Sequence, residues 1–232
     1  MKNFYQGEIL LINKPLGWTS FQAVNKLKHG LKKHESLLVD GKYVHLKIGH
    51  AGTLDPLATG LLIVCTGKKT KEIQTFQDLK KEYTGTFFVG ATTPCFDLEK
   101  PIDATFPMEH ITEKLIFETV KIFIGLQEQV PPLFSAVIIN GKRAYDIARE
   151  GGTAELKSRP IEILEFEITR IELPEIDFRI VCSKGTYIRS IARDFGLALN
   201  SGAHLIKLCR TKIGDFEAKN AQEPETFLKA FN

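Results

Sequence analysis

The sequence has no long apolar run. Runs such as Leu61–Cys65 are far shorter than the roughly 20 residues that a membrane-spanning helix needs. A secretory leader is not indicated either, because the short apolar stretch Ile9–Ile12 ends at once in Asn13-Lys14-Pro15. These absences predict a protein without membrane association, located in the cytoplasm.

Cysteine is also scarce, with four residues in a chain of 232, and no two of them form a C-x-x-C pair. A disulfide framework is therefore not expected. The histidines have spacings that match no known zinc ligand set, so we expect no metal site. Residues 60–70 do not fit the spacing of a phosphate-binding loop, and the chain contains no internal repeat.

The chain does have the apolar content of a folded domain: 43% of its residues are hydrophobic and 16 are Phe. Its net charge of only +3 hides an uneven distribution. Residues 26–47 and 68–81 are rich in lysine, whereas residues 96–128 and 162–177 are rich in acids. Such blocks indicate either a basic face suited to a polyanion or ordinary solvated surface.

Hydrophobic spacing predicts strands grouped with a few helices, which favours an α+β fold with a mainly antiparallel sheet. Residues 32–47 are polar and are expected to form an exposed excursion. In the first predicted helix, which Thr19 or Ser20 caps, Phe21, Val24, Leu27 and Leu31 form the apolar stripe. The expected strands are 8–13, 61–66, 82–91, 161–173 and 176–183, and the other helices are 112–124 and 186–199.

The most unusual segment is Gly49–Gly60, which reads GHAGTLDPLATG. Its glycines permit tight turns and close approach of the backbone to a ligand, and His50 and Asp55 supply a base and an acid. A structural alternative is that Asp55 caps a helix with Pro56 in its first position.

The order of several motifs resembles the TruB family of tRNA pseudouridine synthases, and the resemblance runs from about Glu8 to about Phe216. The matching blocks are Asn13-Lys14-Pro15 with Gly17, Thr19 and Ser20; Gly49–Gly60; Tyr83-Thr84-Gly85 preceded by Lys80 and Lys81; Lys184-Gly185-Thr186-Tyr187-Ile188-Arg189; and a thumb-like segment from Val130 to Tyr145.

The resemblance implies a pseudouridine synthase fold, in which a central mixed sheet is flanked by helices and loops and carries a thumb insertion at about 126–156. It implies isomerisation of uridine to pseudouridine in the TΨC loop of tRNA, at tRNA position 55, by base flipping and without any cofactor. The expected organisation is a catalytic domain at 1–220, a short tail or helix at 221–232 and no C-terminal PUA domain. The expected partner is tRNA, and the protein would be a monomer without an obligatory protein partner.

The same resemblance implies three catalytic residues. Asp55 would act as nucleophile or as base at the sugar, and Arg189 would pair with it and stabilise its ionised form. Tyr83 would stack on the target base. The residues alone favour an exposed helix arginine at position 189 and, for Tyr83, a core aromatic with its hydroxyl at the rim.

Among the expected RNA contacts, His50 would fill the place that the flipped base leaves, although a turn histidine bonded to backbone is the alternative. Lys14 is expected to support the wall of the active site. For the basic residues, solvated surface is an equal alternative. The full set of expected RNA-binding residues is His50, Lys14, Lys68, Lys69, Lys142, Arg143, Arg149 and Tyr187.

Two other functions stay open at this stage. One is a guide-RNA-dependent rRNA pseudouridine synthase, which the absence of a partner-binding C-terminal domain disfavours. The other is an RNA-binding or tRNA-folding module with incidental catalysis, an activity that could also coexist with modification.

Overall fold

The computed structural model describes residues 2–135, 137–139 and 141–231. The chain divides into two compact units: unit 1 comprises Met1–Tyr83 and Leu208–Asn232, and unit 2 comprises Thr84–Lys207. The strands are, in chain order, β1 (Ile9–Lys14), β2 (Leu38–Val39), β3 (Lys42–Tyr43), β4 (Ile48–His50), β5 (Ala58–Thr66), β6 (Lys81–Val89), β7 (Ala91–Thr92), β8 (Ala104–Thr105), β9 (Gly125–Gln129), β10 (Ile138–Ile139), β11 (Lys142–Arg143), β12 (Arg159–Glu172), β13 (Glu175–Cys182), β14 (Ala203–Ile213) and β15 (Phe216–Glu217).

The helices complete an α+β fold, as the sequence predicts. They are α1 (Ser20–Leu31), α2 (Ile73–Asp78), α3 (Glu113–Phe123), α4 (Ala144–Arg149), α5 (Ile188–Ala198) and α6 (Pro224–Lys229), with 3-10 turns at Glu35–Leu37, Gly67–Glu72 and Ala218–Asn220. Within the described ranges, no helix is both long and apolar enough to cross a membrane.

Strand β5 is the centre of unit 1. It pairs antiparallel with β1 and β4 and parallel with β14, so the sheet is mixed. Because successive strand residues point to opposite faces, Leu62 and Val64 pack in one apolar cluster with α1 and α6, while Leu61 and Ile63 pack in another. Both faces of β5 are consequently buried, and this packing holds the two ends of the strand in place.

Helix α1 begins as predicted. Thr19 Oγ1 accepts a hydrogen bond from Gln22 N at 3.1 Å, and the Gln22 side chain accepts one from Thr19 N, which forms a capping box. The predicted apolar stripe is wrong at Phe21, whose side chain is 68% exposed. The buried stripe contains Ala23 in its place.

The polar stretch 32–47 is more ordered than an exposed excursion. It contains a 3-10 turn and the β2–β3 hairpin, and both Leu37 and Leu46 are buried in the core of unit 1. The prediction of exposure holds for the lysines and fails for these two leucines.

Unit 2 contains the predicted long strand pair. β12 pairs antiparallel with β13 and with β9, which gives the strand order β6-β13-β12-β9. Its core is aromatic: the rings of Phe87 and Phe178 stack at 4.1 Å, and Phe123, Phe166 and Phe195 pack around them. Helix α3 ends before Gly125, which has a φ of +98° and stops the helix as predicted.

The expected thumb segment, 126–156, contains the end of β9, the β10–β11 pair and α4. Tyr145 N donates to Ser135 O at 2.9 Å, and Ala144 N donates to Val137 O at 2.7 Å, which ties α4 to the preceding loop. Ala136 lies outside the described residues.

The expected tail, 221–232, contains helix α6, whose Phe227 packs against Phe4 in the core of unit 1. The expected boundary between a catalytic domain and this tail stays a prediction.

Candidate active site

The Gly49–Gly60 segment is a strand followed by a tight return. β4 pairs with the far end of β5, and the chain then turns back into the beginning of β5 at Ala58. Asp55 lies in that turn, where Ala58 N donates to Asp55 O at 3.0 Å. No helix follows Asp55, so the alternative of a helix cap is wrong. The carboxylate is instead carried by a loop that both neighbouring strands hold in place.

Arg210, on β14, holds this loop from inside the protein. The side chain is 1% exposed, and its Nε donates to Leu61 O at 2.8 Å. Its Nη2 donates to Gly52 O at 3.1 Å and its Nη1 to Thr53 O at 3.4 Å. One guanidinium thus joins both ends of the return that contains Asp55.

The close pairing of β5 with β14 at this point requires glycine. Gly60 has a φ of +99°, and a Cβ there would lie 2.4 Å from Arg210 O. The glycine that ends the motif therefore permits the arginine-bearing strand to approach.

Lys14 holds the loop from the side of β1. It is fully buried, and its Nζ donates to Trp18 O at 2.5 Å, Pro15 O at 3.0 Å and Pro56 O at 3.3 Å. Pro56 directly follows Asp55, so the Lys14 ammonium group joins the Asn13-Lys14-Pro15 motif to the Gly49–Gly60 motif.

A second link comes from the start of α1. Ser20 Oγ accepts from Leu54 N at 2.8 Å and donates to Leu54 O at 3.1 Å. Gly17 N donates to Pro56 O at 2.8 Å. The residues on either side of Asp55 are therefore both fixed to the β1–α1 turn.

The buried position of Lys14 changes its acidity. Burial lowers the pKa of Lys14 to about 8, the nearby Asp55 carboxylate opposes this shift, and Arg210 adds to it. Lys14 has no exposed surface to offer to RNA. Its place among the expected RNA-binding residues is therefore corrected to the supporting role that the sequence also indicates.

His50 lies in strand β4, not in a turn, and is half-buried. Burial lowers its pKa, which favours the neutral ring. Its Nδ1 is enclosed, and the Gly52 backbone lies beside the ring. Both expectations for His50, the place of the flipped base and a histidine bonded to backbone, stay predictions.

Tyr83 and Arg189 are both buried. Tyr83, on β6 in unit 1, is 8% exposed, so its ring lies in the protein interior. Arg189, on α5 in unit 2, is 4% exposed, and the alternative of an exposed helix arginine is wrong.

The guanidinium of Arg189 joins two separate loops of unit 2. Its Nη1 donates to Cys95 O at 3.2 Å and its Nη2 to Phe134 O at 2.9 Å. Its Nε lies 3.5 Å from Oδ2 of the buried Asp97. The expected pairing of Arg189 with Asp55 stays a prediction.

The first turns of α5 also hold the root of the thumb segment. Gln129 and Tyr187 exchange two hydrogen bonds, of 2.8 and 3.1 Å, between the glutamine side chain and the tyrosine backbone. Ser190 Oγ donates to Val130 O at 2.9 Å. The Arg159 guanidinium covers the Tyr187 ring at 4.5 Å. The entry to the thumb is consequently attached to the helix that carries Arg189.

The other expected RNA contacts lie at the surface with weak partners. Lys68 donates to Gln6, and Lys69 lies 2.8 Å from Glu72. Lys142 is 3.8 Å from Glu150, and the Arg149 guanidinium lies 5.3 Å from the Tyr145 ring centre. Exposed pairs of this kind contribute about 0 to 1 kcal/mol, so phosphate can replace them. Arg143 belongs to β11, and its side chain lies outside the described part of the structure.

Unit 1 thus brings together Asp55, Lys14 and His50, whereas Arg189 and Tyr187 belong to unit 2. Sequence reasoning missed two residues, Arg210 and Asp97. The sequence signal that could have identified Arg210 is an arginine that follows several apolar residues in one strand. Asp97 offered only its place in an acidic stretch. In the described residues no group of three or more His, Cys, Asp or Glu side chains is placed to hold a metal ion.

Comparisons with known proteins show the family of the chain. A family model described as TruB family pseudouridylate synthase (N terminal domain) matches residues 41–188. A tRNA pseudouridine synthase B of Flavobacterium johnsoniae is 61% identical over 222 residues, which cover 95% of this chain and 94% of the relative. A protein of the same name from Phocaeicola vulgatus is 54% identical, with 97% and 93% covered.

Solved structures give the same fold. A Cbf5-Nop10-Gar1 complex contains a chain with a TM-score of 0.67 and 29% identity, and 93% of the present chain is covered. An H/ACA RNP bound to a substrate RNA containing 2'-deoxyuridine gives a TM-score of 0.69 at 25% identity, with 98% covered. The present chain spans about half of each of those chains, 51% and 54%. By the family model and by near full-length identity, this chain belongs to the TruB family of pseudouridylate synthases.

Proposed function

We propose that this protein converts uridine to pseudouridine in the TΨC loop of tRNA. The observation that carries the proposal is the buried frame around Asp55, in which Lys14, Ser20 and Arg210 fix the backbone on both sides of one carboxylate. Such rigid positioning is what a group that reacts at a single sugar carbon needs.

The proposed reaction is an isomerisation of the nucleotide. The N1–C1′ bond of the uridine breaks, the uracil turns while it is held, and a C5–C1′ bond forms; C5 loses a proton and N1 gains one. The reaction is redox-neutral. Asp55 would attack the sugar carbon or remove a proton from the sugar.

The target uracil must leave the RNA stack before it can reach Asp55, at a cost of a few kcal/mol. A neutral, flat His50 ring is suited to occupy the vacated place, and Tyr83 to contact the flipped base. Arg189 would orient the reacting groups from unit 2 while it holds the thumb root through Phe134 O. The proposal includes a cytoplasmic monomer that uses tRNA without a guide RNA or an obligatory protein partner.

The test uses the purified chain and an unmodified tRNA transcript, with pseudouridine mapped by chemical probing. We expect product in the TΨC loop, and we expect Asp55→Asn to abolish it while tRNA binding changes by less than roughly tenfold, because the loop backbone that Lys14 and Arg210 hold is unchanged. Asp215→Asn, an exposed substitution with the same change of charge, is the control and should keep the wild-type rate.

Turnover by Asp55→Asn near that of the wild type would remove Asp55 from its role. Product at another position, or a need for guide RNA, would replace the tRNA assignment with the guide-dependent one. Tight tRNA binding without any product would favour the RNA-folding module.

A further inference from the structure

The surface of unit 1 carries a basic element that the proposed reaction does not use. We call residues 32–47 the lysine hairpin. Its four lysines, Lys32, Lys33, Lys42 and Lys47, are exposed, and no ion pair involves any of them within the described residues. Its acids are Glu35 and Asp40, so the element has a net positive charge.

Two other lysines of the unit are neutralised by carboxylates, unlike those of the hairpin. Lys26 lies 2.9 Å from Glu225, and Lys69 lies 2.8 Å from Glu72. A lysine without a carboxylate partner keeps its whole charge available to an external anion. The lysine hairpin is therefore a cationic surface that the fold itself does not neutralise.

The hairpin is held rigidly by its inner face. Leu37 is fully buried and Leu46 is 4% exposed, and Val44 N donates to Leu37 O at 2.9 Å. Ser36 Oγ accepts from Phe4 N at 3.1 Å. Because these contacts fix the backbone, little conformational entropy of the loop is lost when the outer face binds a ligand.

The outer face presents an apolar pair between the lysines. Asp40 and Gly41 have φ values of +50° and +75°, the conformation of a two-residue hairpin turn, and the register places Leu38 opposite Tyr43. Residues directly opposite on paired strands share one face. Leu38 is 50% exposed and Tyr43 is 52% exposed, so a tyrosine ring lies open to solvent on the element that carries the four lysines.

We propose that the lysine hairpin binds the RNA strand beside the target nucleotide, with lysines on phosphates and the Tyr43 ring against an unpaired base. Basic side chains interleaved with an exposed aromatic ring are the usual way to hold single-stranded RNA. The position fits: Tyr43 lies seven positions before His50, at most about 25 Å of extended chain, within the same unit. This inference rests on the proposed function, because it takes the substrate RNA as the ligand.

The experiment compares two double variants. Lys42→Gln/Lys47→Gln removes two hairpin charges, and Lys114→Gln/Lys121→Gln removes two exposed charges from α3 in unit 2 as the matched control. Kd for an unmodified tRNA transcript is measured from low to high salt, and kcat is measured at saturating RNA. Thermal unfolding of each variant checks that the fold is kept.

For the hairpin variant we expect the slope of log K against log salt to fall by about 2, one for each phosphate contact, and Kd to weaken roughly 20-fold at about 0.1 M salt. The kcat and the control variant should match the wild type. Tyr43→Ala should weaken binding roughly tenfold with an unchanged salt slope, while Tyr43→Phe keeps the wild-type Kd.

An unchanged salt slope, or an equal loss in the control variant, would overturn the inference. The two proposals fail separately. Binding that depends on the hairpin without any product would contradict the proposed function alone, whereas normal turnover with hairpin-independent binding would contradict this inference alone.

Discussion

The two units of this protein both bury basic side chains, but they neutralise them differently. In unit 1, Lys14 and Arg210 donate hydrogen bonds to backbone carbonyls, and the nearby Asp55 carboxylate raises the pKa of Lys14. In unit 2, Arg189 bonds to two carbonyls and also lies beside Asp97, a carboxylate that is itself 3% exposed. Unit 1 uses buried charge to hold a loop, and unit 2 adds a buried counter-ion.

The difference follows from what each group must do. A buried cation that bonds only to carbonyls leaves excess positive charge in the interior, which costs free energy unless a nearby anion forms. In unit 1 the Asp55 carboxylate lies near Lys14. In unit 2, Asp97 lies beside Arg189 and offsets part of its charge. The comparison indicates that the buried cations of unit 1 hold a loop, whereas that of unit 2 belongs to a buried ion pair.

The strongest test of the unit 1 arrangement is Arg210→Met. The substitution removes one buried and two part-buried hydrogen bonds to backbone carbonyls; a buried bond of a charged donor contributes about 1.5 to 3 kcal/mol, and a part-buried one contributes less. We expect the free energy of unfolding, measured in urea, to fall by about 4 kcal/mol. Lys212→Met on the same strand removes a surface pair and should cost under about 1 kcal/mol.

Arg210→Lys sharpens the same test. It keeps the charge but replaces a planar fork, whose three nitrogens each reach one carbonyl, with a single nitrogen, so we expect an intermediate loss of stability. If Arg210→Lys equalled the wild type, charge alone would hold the loop, and the fork of hydrogen bonds would be unimportant.

The next effect concerns the counter-ion of unit 2. Asp97→Asn removes the carboxylate beside Arg189, and breaking a buried pair destabilises by about 3 kcal/mol. A double-mutant cycle with Arg189→Met should give a coupling energy of about 1 to 3 kcal/mol. Asp194→Asn, which breaks the more exposed Arg193 pair, is the control and should cost less than about 1 kcal/mol. A coupling energy of zero between Asp97 and Arg189 would mean that Asp97 does not stabilise the buried arginine. The buried cations of both units would then be stabilised by backbone carbonyls alone.

Much of the fold could be predicted because its signals are local. The alternation in 161–173 and the Thr19 cap identify a strand and a helix start without any tertiary knowledge. The loop that carries Asp55 could be predicted because its glycines and Asp55 lie within twelve consecutive residues.

The buried contacts that hold the Asp55 loop could not be predicted from local sequence patterns. Arg210 reaches Gly52 across 158 positions of sequence, and a contact of that separation leaves no periodic trace. The prediction that Phe21 is buried was wrong for a related reason. Helical spacing predicts which residues lie on one face of a helix, but the packing of neighbouring elements decides which of those residues are buried.

The smallest effect separates the two buried cations of unit 1, because Lys14 can lose its proton and Arg210 cannot. Burial holds the pKa of Lys14 at about 8, against its ordinary value of 10.5. Between these pH values the folded protein has released this proton and the unfolded chain keeps it, so stability rises with pH. We expect the wild type to gain on the order of 2 kcal/mol over Lys14→Met from pH 8 to 10.5, and nothing below pH 8. Urea titrations across that range measure the difference, with the exposed substitution Lys100→Met as a flat control. A flat difference for Lys14→Met as well would mean that the interior tolerates the ammonium charge without cost, and Lys14 would then be equivalent to Arg210.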